Sequence, residues 1–526
     1  MSIEQSRDFR LQESSRARPP QAPGMGGTRI SRREAMRRGI FGAAGLLLAD
    51  RLGFCAPAPL QPAAGAKPAG AKPNIVIILS DDLGWGSVGC YGADPKLVRT
   101  PNIDRLAREG RRFTDANTAS SVCSPTRYAL LTGRCCWRTS LKYEVLNVNA
   151  PLHIEPTRPT IASMLKQLGY RTAVVGKWHL GYQSEKTDYT QPLRPGPQDV
   201  GFDYQFAVPS NHGDATGVFI EGERVAGLRS ATLSPNKYKN WRGQRQLGLD
   251  APQRVDEDVM PTLTEKAAAW LRQQEPGKPF FLYYTPVSVH NPITPSAKTR
   301  GSSPAGAYGD WIHELDRSVG AVLAALDEKG LAKDTLVLFT SDNGGEFFGD
   351  EQAAAQAAGL KPMGPFKGDK HTVWEGGFRV PYIVRWPGRV PADTVCDEMI
   401  SLTDTFATIA AFVGVPLPPV KDAAEDSFNV LPAWLGQKSK SPLRPHMIVH
   451  SADGVFAVRR GPWKWIEGKS SKPKPPEARR DEFHPQLYHL GSDIGEAVDV
   501  QDSNPTVVAE LNALLNRCRE RGYSRE

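Results

Sequence analysis

Ile75-Val76-Ile77-Ile78-Leu79, opened by Asn74, is an unbroken apolar run dominated by β-branched side chains. A strand with one wet face alternates apolar and polar residues. A run that is apolar at every position suits a strand covered on both sides, as in a parallel sheet between helical layers. Similar runs recur at residues 172–175, 280–284 and 336–340, with helical patterns between them. Thr100 followed by Pro101, with Gly110 beyond, predicts a helix capped by Thr100. From Ile312 onward, Leu315, Val319, Val322 and Leu326 fall on one helix face. Strands alternating with helices predict an α/β fold, a large mixed and mostly parallel sheet sandwiched by helices. At 526 residues the chain also has room for a second, smaller unit. Residues 74–440 are assigned to the large domain. Residues 441–526, with short strand patterns near 455–460, 463–466 and 486–490 and a helical one at 507–519, are assigned to a smaller α+β domain built on an antiparallel sheet.

The formal charge of +8 invites a nucleic-acid partner, but twelve Lys/Arg against five Asp/Glu in residues 1–73 supply +7 of it. The excess belongs to a leader, and the nucleic-acid class is set aside. Residues 1–66 read as an export signal. Ser31-Arg32-Arg33 is followed by an apolar stretch at 39–49, too short to span a bilayer, and by the small-residue cleavage site Ala64-Gly65-Ala66. The paired arginines favour the Tat route to the periplasm. Leu52-Gly53-Phe54-Cys55 is a poor lipoprotein box because Phe54 is too large, which argues against a lipid anchor at Cys55. Residues 67–73 close an Ala/Pro/Gly-rich linker, and no transmembrane span is expected in the mature chain. Seven cysteines, an odd number without zinc-type pairing, leave one thiol for another task.

The first buried run ends in Ser80-Asp81-Asp82, and that at 336–340 is followed by Ser341-Asp342-Asn343. Ligands of open α/β sheets gather at the carboxyl ends of strands. Adjacent carboxylates repel one another unless a cation joins them, and an all-oxygen donor set favours Ca2+ or Mg2+ over zinc. Cys123-Ser124-Pro125-Thr126-Arg127 continues to Leu131-Thr132-Gly133-Arg134, and Arg127 falls one turn after Cys123 if Pro125 starts a helix. Gly176-Lys177-Trp178-His179-Leu180-Gly181 follows another strand; an extended backbone would turn Lys177 and His179 to one face. Further on stand His290-Asn291-Pro292 and Gly368-Asp369-Lys370-His371-Thr372-Val373-Trp374-Glu375-Gly376-Gly377.

These segments, in this order, resemble the type I sulfatases of the alkaline phosphatase superfamily: C-x-P-[ST]-R with L-T-G-R, G-K-W-H-L-G, and G-K-G-T-x-[WY]-E-G-G. The resemblance covers roughly residues 73–520, and residues 135–182 are similar to the arylsulfatase A and N-acetylgalactosamine-6-sulfatase branch. It implies an alkaline phosphatase-like fold and hydrolysis of sulfate esters, with a sulfated carbohydrate as the preferred substrate. It further implies conversion of Cys123 to formylglycine by a generating enzyme, the hydrated aldehyde then attacking sulfur. Asp81, Asp82, Asp342, Asn343 and the modified Cys123 are the implied metal ligands, with Ca2+ preferred to Mg2+. Arg127 supports that centre, Lys177, His290 and Lys370 bind sulfate, and His179 takes a proton during sulfate release. Counting back from Glu375-Gly376-Gly377 selects Lys370 over Lys367, with His371 in place of the usual glycine. Ser210, after Gly201-Phe202-Asp203-Tyr204, is a further substrate-binding candidate. Two rival readings remain at this point: a phosphodiester or phosphonate monoester hydrolase of the same superfamily, and an inactive relative that binds sulfated glycans.

Overall fold

Successive residues of the Asn74–Ser80 strand feed two separate cores. Ile75, Ile77 and Leu79 pack into one, Val76 and Ile78 into the other. The continuous apolar run is thus a central strand with a helical layer on each face. A computed structural model describes residues 72–469 and 481–525. The expected leader at 1–66, with its Tat signal and Cys55, lies outside the described residues, as does most of the 67–73 linker. No helix among the described residues is long and apolar enough to cross a membrane.

Asn74–Ser80 sits between Phe280–Thr285 and Thr335–Ser341, parallel to both, in a ten-stranded sheet. Arg171–Lys177 and Tyr204–Val208 extend the parallel block on the Phe280–Thr285 side. Antiparallel pairings appear toward the rims, as between Thr335–Ser341 and Tyr382–Arg385. The expected mixed, mostly parallel sheet is therefore present, and the four strands read from sequence are its centre. The helix Gly306–Glu328 buries Leu315, Val319, Val322 and Leu326 as its periodicity requires.

Two local expectations change. Pro101–Arg108 is helical, but Thr100 makes no side-chain cap; its hydroxyl accepts from Gly89 N instead. The free amides of Asn102 and Ile103 are held at 3.0 and 2.9 Å by Asp316 from the long helix, a carboxylate at a positive helix end. Gly110 is needed for space rather than for a left-handed turn, since a Cβ there would lie 2.3 Å from the Val384 carbonyl oxygen.

Met447–His450, Phe456–Arg460, Trp463–Ile466 and Gln486–His489 form a four-stranded antiparallel sheet. One of its faces packs on Val373, Trp374 and Phe378, just after Lys370. The other takes Leu511, Leu514, Leu515 and Cys518 of the Pro505–Arg521 helix. Beneath the first face, Glu375 is fully buried and held by Arg379, Arg459 and Lys464. The small sheet therefore braces the segment that carries Lys370.

Candidate active site

Three parallel strands deliver their carboxyl ends to one place. Asp81 and Asp82 follow the central strand, Asp342 and Asn343 follow its neighbour, and Lys177 ends the Arg171–Lys177 strand. Cys123 opens the helix Cys123–Thr132, two residues earlier than a start at Pro125 would give. Ligand-capable atoms of Asp81, Asp82, Cys123 and Asp342 all lie within 4.8 Å of one another, and all four residues are buried. Cys123 Sγ is 3.8 Å from Asp81 Oδ1. Arg127, one turn on, donates through Nε and Nη2 to Asp342 Oδ2 at 2.9 and 2.7 Å, and through Nη1 to the Lys177 carbonyl. Asp82 holds a left-handed backbone, φ 60°, which a non-glycine residue adopts at a cost and which fits a functional turn.

The donor set suits a hard divalent cation. Three carboxylates share one dry pocket, and Asn343 Oδ1 is buried there without a hydrogen-bond partner. Burial, reinforced by the negative charges of Asp342 and Asp82, pushes the Asp81 carboxyl up to about 7 against the pull of Lys177. Such a group awaits a cation. The lysine ammonium groups supply positive charge: Lys177 Nζ stands 2.8 Å from both Asp81 oxygens, and Lys370 Nζ 2.7 Å from Asp82 Oδ2. Against the opposing effect of burial, the Lys370 ammonium, helped by Lys177, holds the Asp82 carboxyl far below its ordinary range.

A cleft of about 260 Å3 opens onto Cys123, with His179, Asn211, His290, Glu346 and Lys370 in its walls. Burial, with the cations Lys177 and Arg127, holds the His179 imidazole neutral. Its Nε2 donates to the Leu146 carbonyl at 3.0 Å, so the neutral ring carries a lone pair on Nδ1, which is buried and unpartnered. Residue 179 does not follow an extended path: its φ is 55°, so the shared strand face expected for Lys177 and His179 is absent. A sharp turn after the strand brings them to the site instead. Burial and Lys370 likewise keep His290 neutral; its Nδ1 donates to the Asn291 carbonyl and its Nε2 lies 3.8 Å from Asp82. His371 has φ 78°, the left-handed conformation that the replaced glycine would adopt freely.

Lys370, not Lys367, reaches the carboxylates; Lys367 lies over the Trp374 ring. Ser210 is not among the cleft-lining residues, whereas its neighbour Asn211 is, with a buried and unpartnered Oδ1. Glu346 was missed by motif reading. It lies 3.6 Å from Lys370, and its place just beyond a strand carboxyl end was the available signal. A larger groove of about 1010 Å3, beside Arg171 and Trp270, shares no lining residue with this cleft. The described cysteines are all free, and burial pushes the Cys123 thiol far above its ordinary value, so as a plain thiol it is not an activated nucleophile.

Residues 73–415 match the family model described as Sulfatase. An N-acetylgalactosamine-6-O-sulfatase of Bacteroides thetaiotaomicron is 35% identical over 494 residues, 86% of this chain and 94% of that protein. Mouse steryl-sulfatase is 34% identical over 450 residues, 75% of this chain and 69% of that one. A solved structure titled for glycosaminoglycan metabolism in B. thetaiotaomicron superposes with a TM-score of 0.78 at 34% identity, covering 86% of this chain and 100% of its own. The phosphonate monoester hydrolase of Agrobacterium radiobacter, at 16% identity and a TM-score of 0.53, shares the fold alone. With a matched family spanning the strand-end acids, the Cys123 helix and the Lys370 loop, the chain belongs to the sulfatase family and is a sulfuric ester hydrolase.

Proposed function

We propose that this sulfatase removes a sulfate group from a sulfated sugar, with Cys123 matured to formylglycine and Ca2+ held by Asp81, Asp82, Asp342 and Asn343. The observation that carries the reading is the buried Cys123 sulfur beside three carboxylates at the floor of a cation-rimmed cleft. The similarity to N-acetylgalactosamine-6-O-sulfatase supports a sulfated hexosamine as substrate. Export by the Tat route, maturation by a formylglycine-generating enzyme and a periplasmic location belong to the same reading.

Hydrated formylglycine supplies a hydroxyl nucleophile, and bound Ca2+ polarises a sulfate oxygen and favours the deprotonated hydroxyl. The chain's residues do the rest. Lys177 and Lys370 meet the sulfate oxygens with charge, which offsets repulsion between an anionic ester and an anionic nucleophile. Lys370, which burial opposes but Asp82 holds firmly protonated, donates from Nζ to the departing alcohol oxygen. His290, oriented by the Asn291 carbonyl, lines the sulfate side of the cleft. His179 accepts a proton at Nδ1 when sulfate is released, because its Nε2 is committed to Leu146. Arg127 holds the Asp342 carboxylate in place.

The test is mass spectrometry of the Cys123 peptide from protein produced with a generating enzyme, alongside sulfate release from 6-sulfated N-acetylgalactosamine. Exchange of H2S for oxygen at Cys123 should accompany activity. Full sulfate release with an intact thiol would sink the proposal.

A further inference from the structure

Strand Ser230–Leu233 pairs antiparallel with Leu249–Asp250, and the loop between them reaches the mouth of the cleft. Between Ser234 and Leu249 the chain carries Lys237, Lys239, Arg242 and Arg245 and no carboxylate. All four are exposed, and none forms an ion pair with a described residue. The next carboxylate along the chain, Asp250, is already bound by Arg229 at 2.7 Å and Ser230 at 2.8 Å. A run of unpaired cations on one loop repels itself and favours an anionic ligand.

Trp241 stands within this run, 44% exposed, with the Arg242 guanidinium 4.5 Å from its ring centre. Its position is built. A Cβ at Gly213 would come within 2.2 Å of Trp241 Cδ1 and Nε1, so that glycine is what lets the indole edge seat against the cleft wall. Trp241 also borders a second cavity of about 320 Å3 that contains Lys237 and Lys239; the two cavities share Gly213, Asp214, Asn240 and Trp241. Of the three carboxylates in the second cavity, Asp214 is held by Arg254 and Glu257 by Arg300, while Asp256 forms no ion pair with a described residue and has only the Arg254 charge nearby to offset it. The cleft above Cys123 can receive one sulfated unit, and the cavity beyond Trp241 has room for the next.

The geometry points to a subsite for a polyanionic glycan chain: Trp241 stacks against the CH-rich face of the sugar next to the one being desulfated, and the loop cations meet the negative groups that follow. An exposed indole gains by covering such a face, and Trp and Arg are the side chains that concentrate binding energy. The substrate is then an oligomer rather than a lone sugar. This deepens, and rests on, the reading of the cleft as a sulfatase site for sulfated sugars.

The test separates binding from turnover. On a Cys123→Ser background, which removes the nucleophile, calorimetry is run with chondroitin 6-sulfate and carrageenan hexasaccharides and with inorganic sulfate. At least one hexasaccharide should bind more tightly than sulfate, and Trp241→Ala should weaken it about tenfold. Gly213→Val should reproduce that loss by unseating the indole. Replacing the four loop cations with serine should flatten the salt dependence of binding. Circular dichroism and melting temperature identify any variant that fails to fold, and Trp241→Phe, which retains an aromatic face, should recover part of the affinity. Equal affinity of folded Trp241→Ala and the parent overturns the proposal, as does a parent that prefers neither hexasaccharide to sulfate. Absence of sulfate release from the Cys123 protein would instead count against the sulfatase reading and leave the binding result standing.

Discussion

Arg127 grips a single oxygen of Asp342, Nε at 2.9 Å and Nη2 at 2.7 Å, while the other Asp342 oxygen accepts from the Asp82 backbone amide at 3.2 Å. One guanidinium, also bonded to the Lys177 carbonyl, therefore locks a helix and three strand ends together. Arg127→Ala leaves a buried carboxylate unpaired, at a cost of about 3–5 kcal/mol. Its melting temperature should fall and sulfate release should vanish. Arg127→Lys retains the charge but loses the planar fork, so it should fold better than the alanine variant and still lose most of kcat. A lysine variant with wild-type kcat would show that the fork is dispensable.

Metal removal should act on stability and activity together, because Asp81, Asp82 and Asp342 crowd three carboxylates into one dry pocket. An ion bound only by the folded chain stabilises it by about 2.7 kcal/mol at a hundredfold excess over Kd. EGTA should lower the melting temperature and abolish sulfate release, and added Ca2+ should restore both. Asp342→Ala should melt at the same temperature with and without Ca2+. A calcium-dependent melting shift that survives in Asp342→Ala would move the ion elsewhere.

Glu375 sits fully buried between Arg379, Arg459 and Lys464, linking the small antiparallel sheet to the segment that carries Lys370. Glu375→Gln keeps the shape but leaves Arg379 and Arg459 to share Asp115 and Lys464 to Glu496, a loss of about 1–3 kcal/mol. Urea unfolding should report that loss. Where the variant remains folded, KM and kcat should both worsen, since Lys370 loses its brace. Unchanged stability would mean that Asp115, paired with Arg379 and Arg459, and Glu496, 2.7 Å from Lys464, suffice to hold the cations.

What could be read in the chain beforehand follows from how local each signal is. Burial on both faces marks every residue of 75–79, so the central strand and the acids at its end were legible. Lys370 could be told from Lys367 by counting from Glu375-Gly376-Gly377. The capping of Asn102 by Asp316 joins residues 214 positions apart and leaves no local period. His179 at φ 55° was hidden for another reason: a left-handed turn at a histidine has no compositional mark, whereas glycine would have advertised it. Trp241 did carry a trace, an aromatic within a run of cations lacking acids. Its neighbour Gly213 becomes meaningful only once the two segments are in contact.

His446 precedes the first strand of the small sheet and His450 ends it, and together they set an acid limit on stability. Burial, with Arg444 and Arg521 nearby, lowers His446 to about 4, and burial alone lowers His450 to about 4. Both folded values lie below the ordinary imidazole value of 6.5. Between these limits the unfolded chain binds more protons, so stability rises with pH across the window. The contribution is complete above about pH 6.5 and is lost as pH falls toward 4. Urea unfolding at about pH 7.5 and about pH 4.5 should differ by roughly 2–3 kcal/mol for each histidine. His450→Gln, which cannot take up a proton, should remove its share of that difference while possessing the same fold by circular dichroism. If the difference between the two pH values is unchanged in His450→Gln, the acid sensitivity arises from other groups.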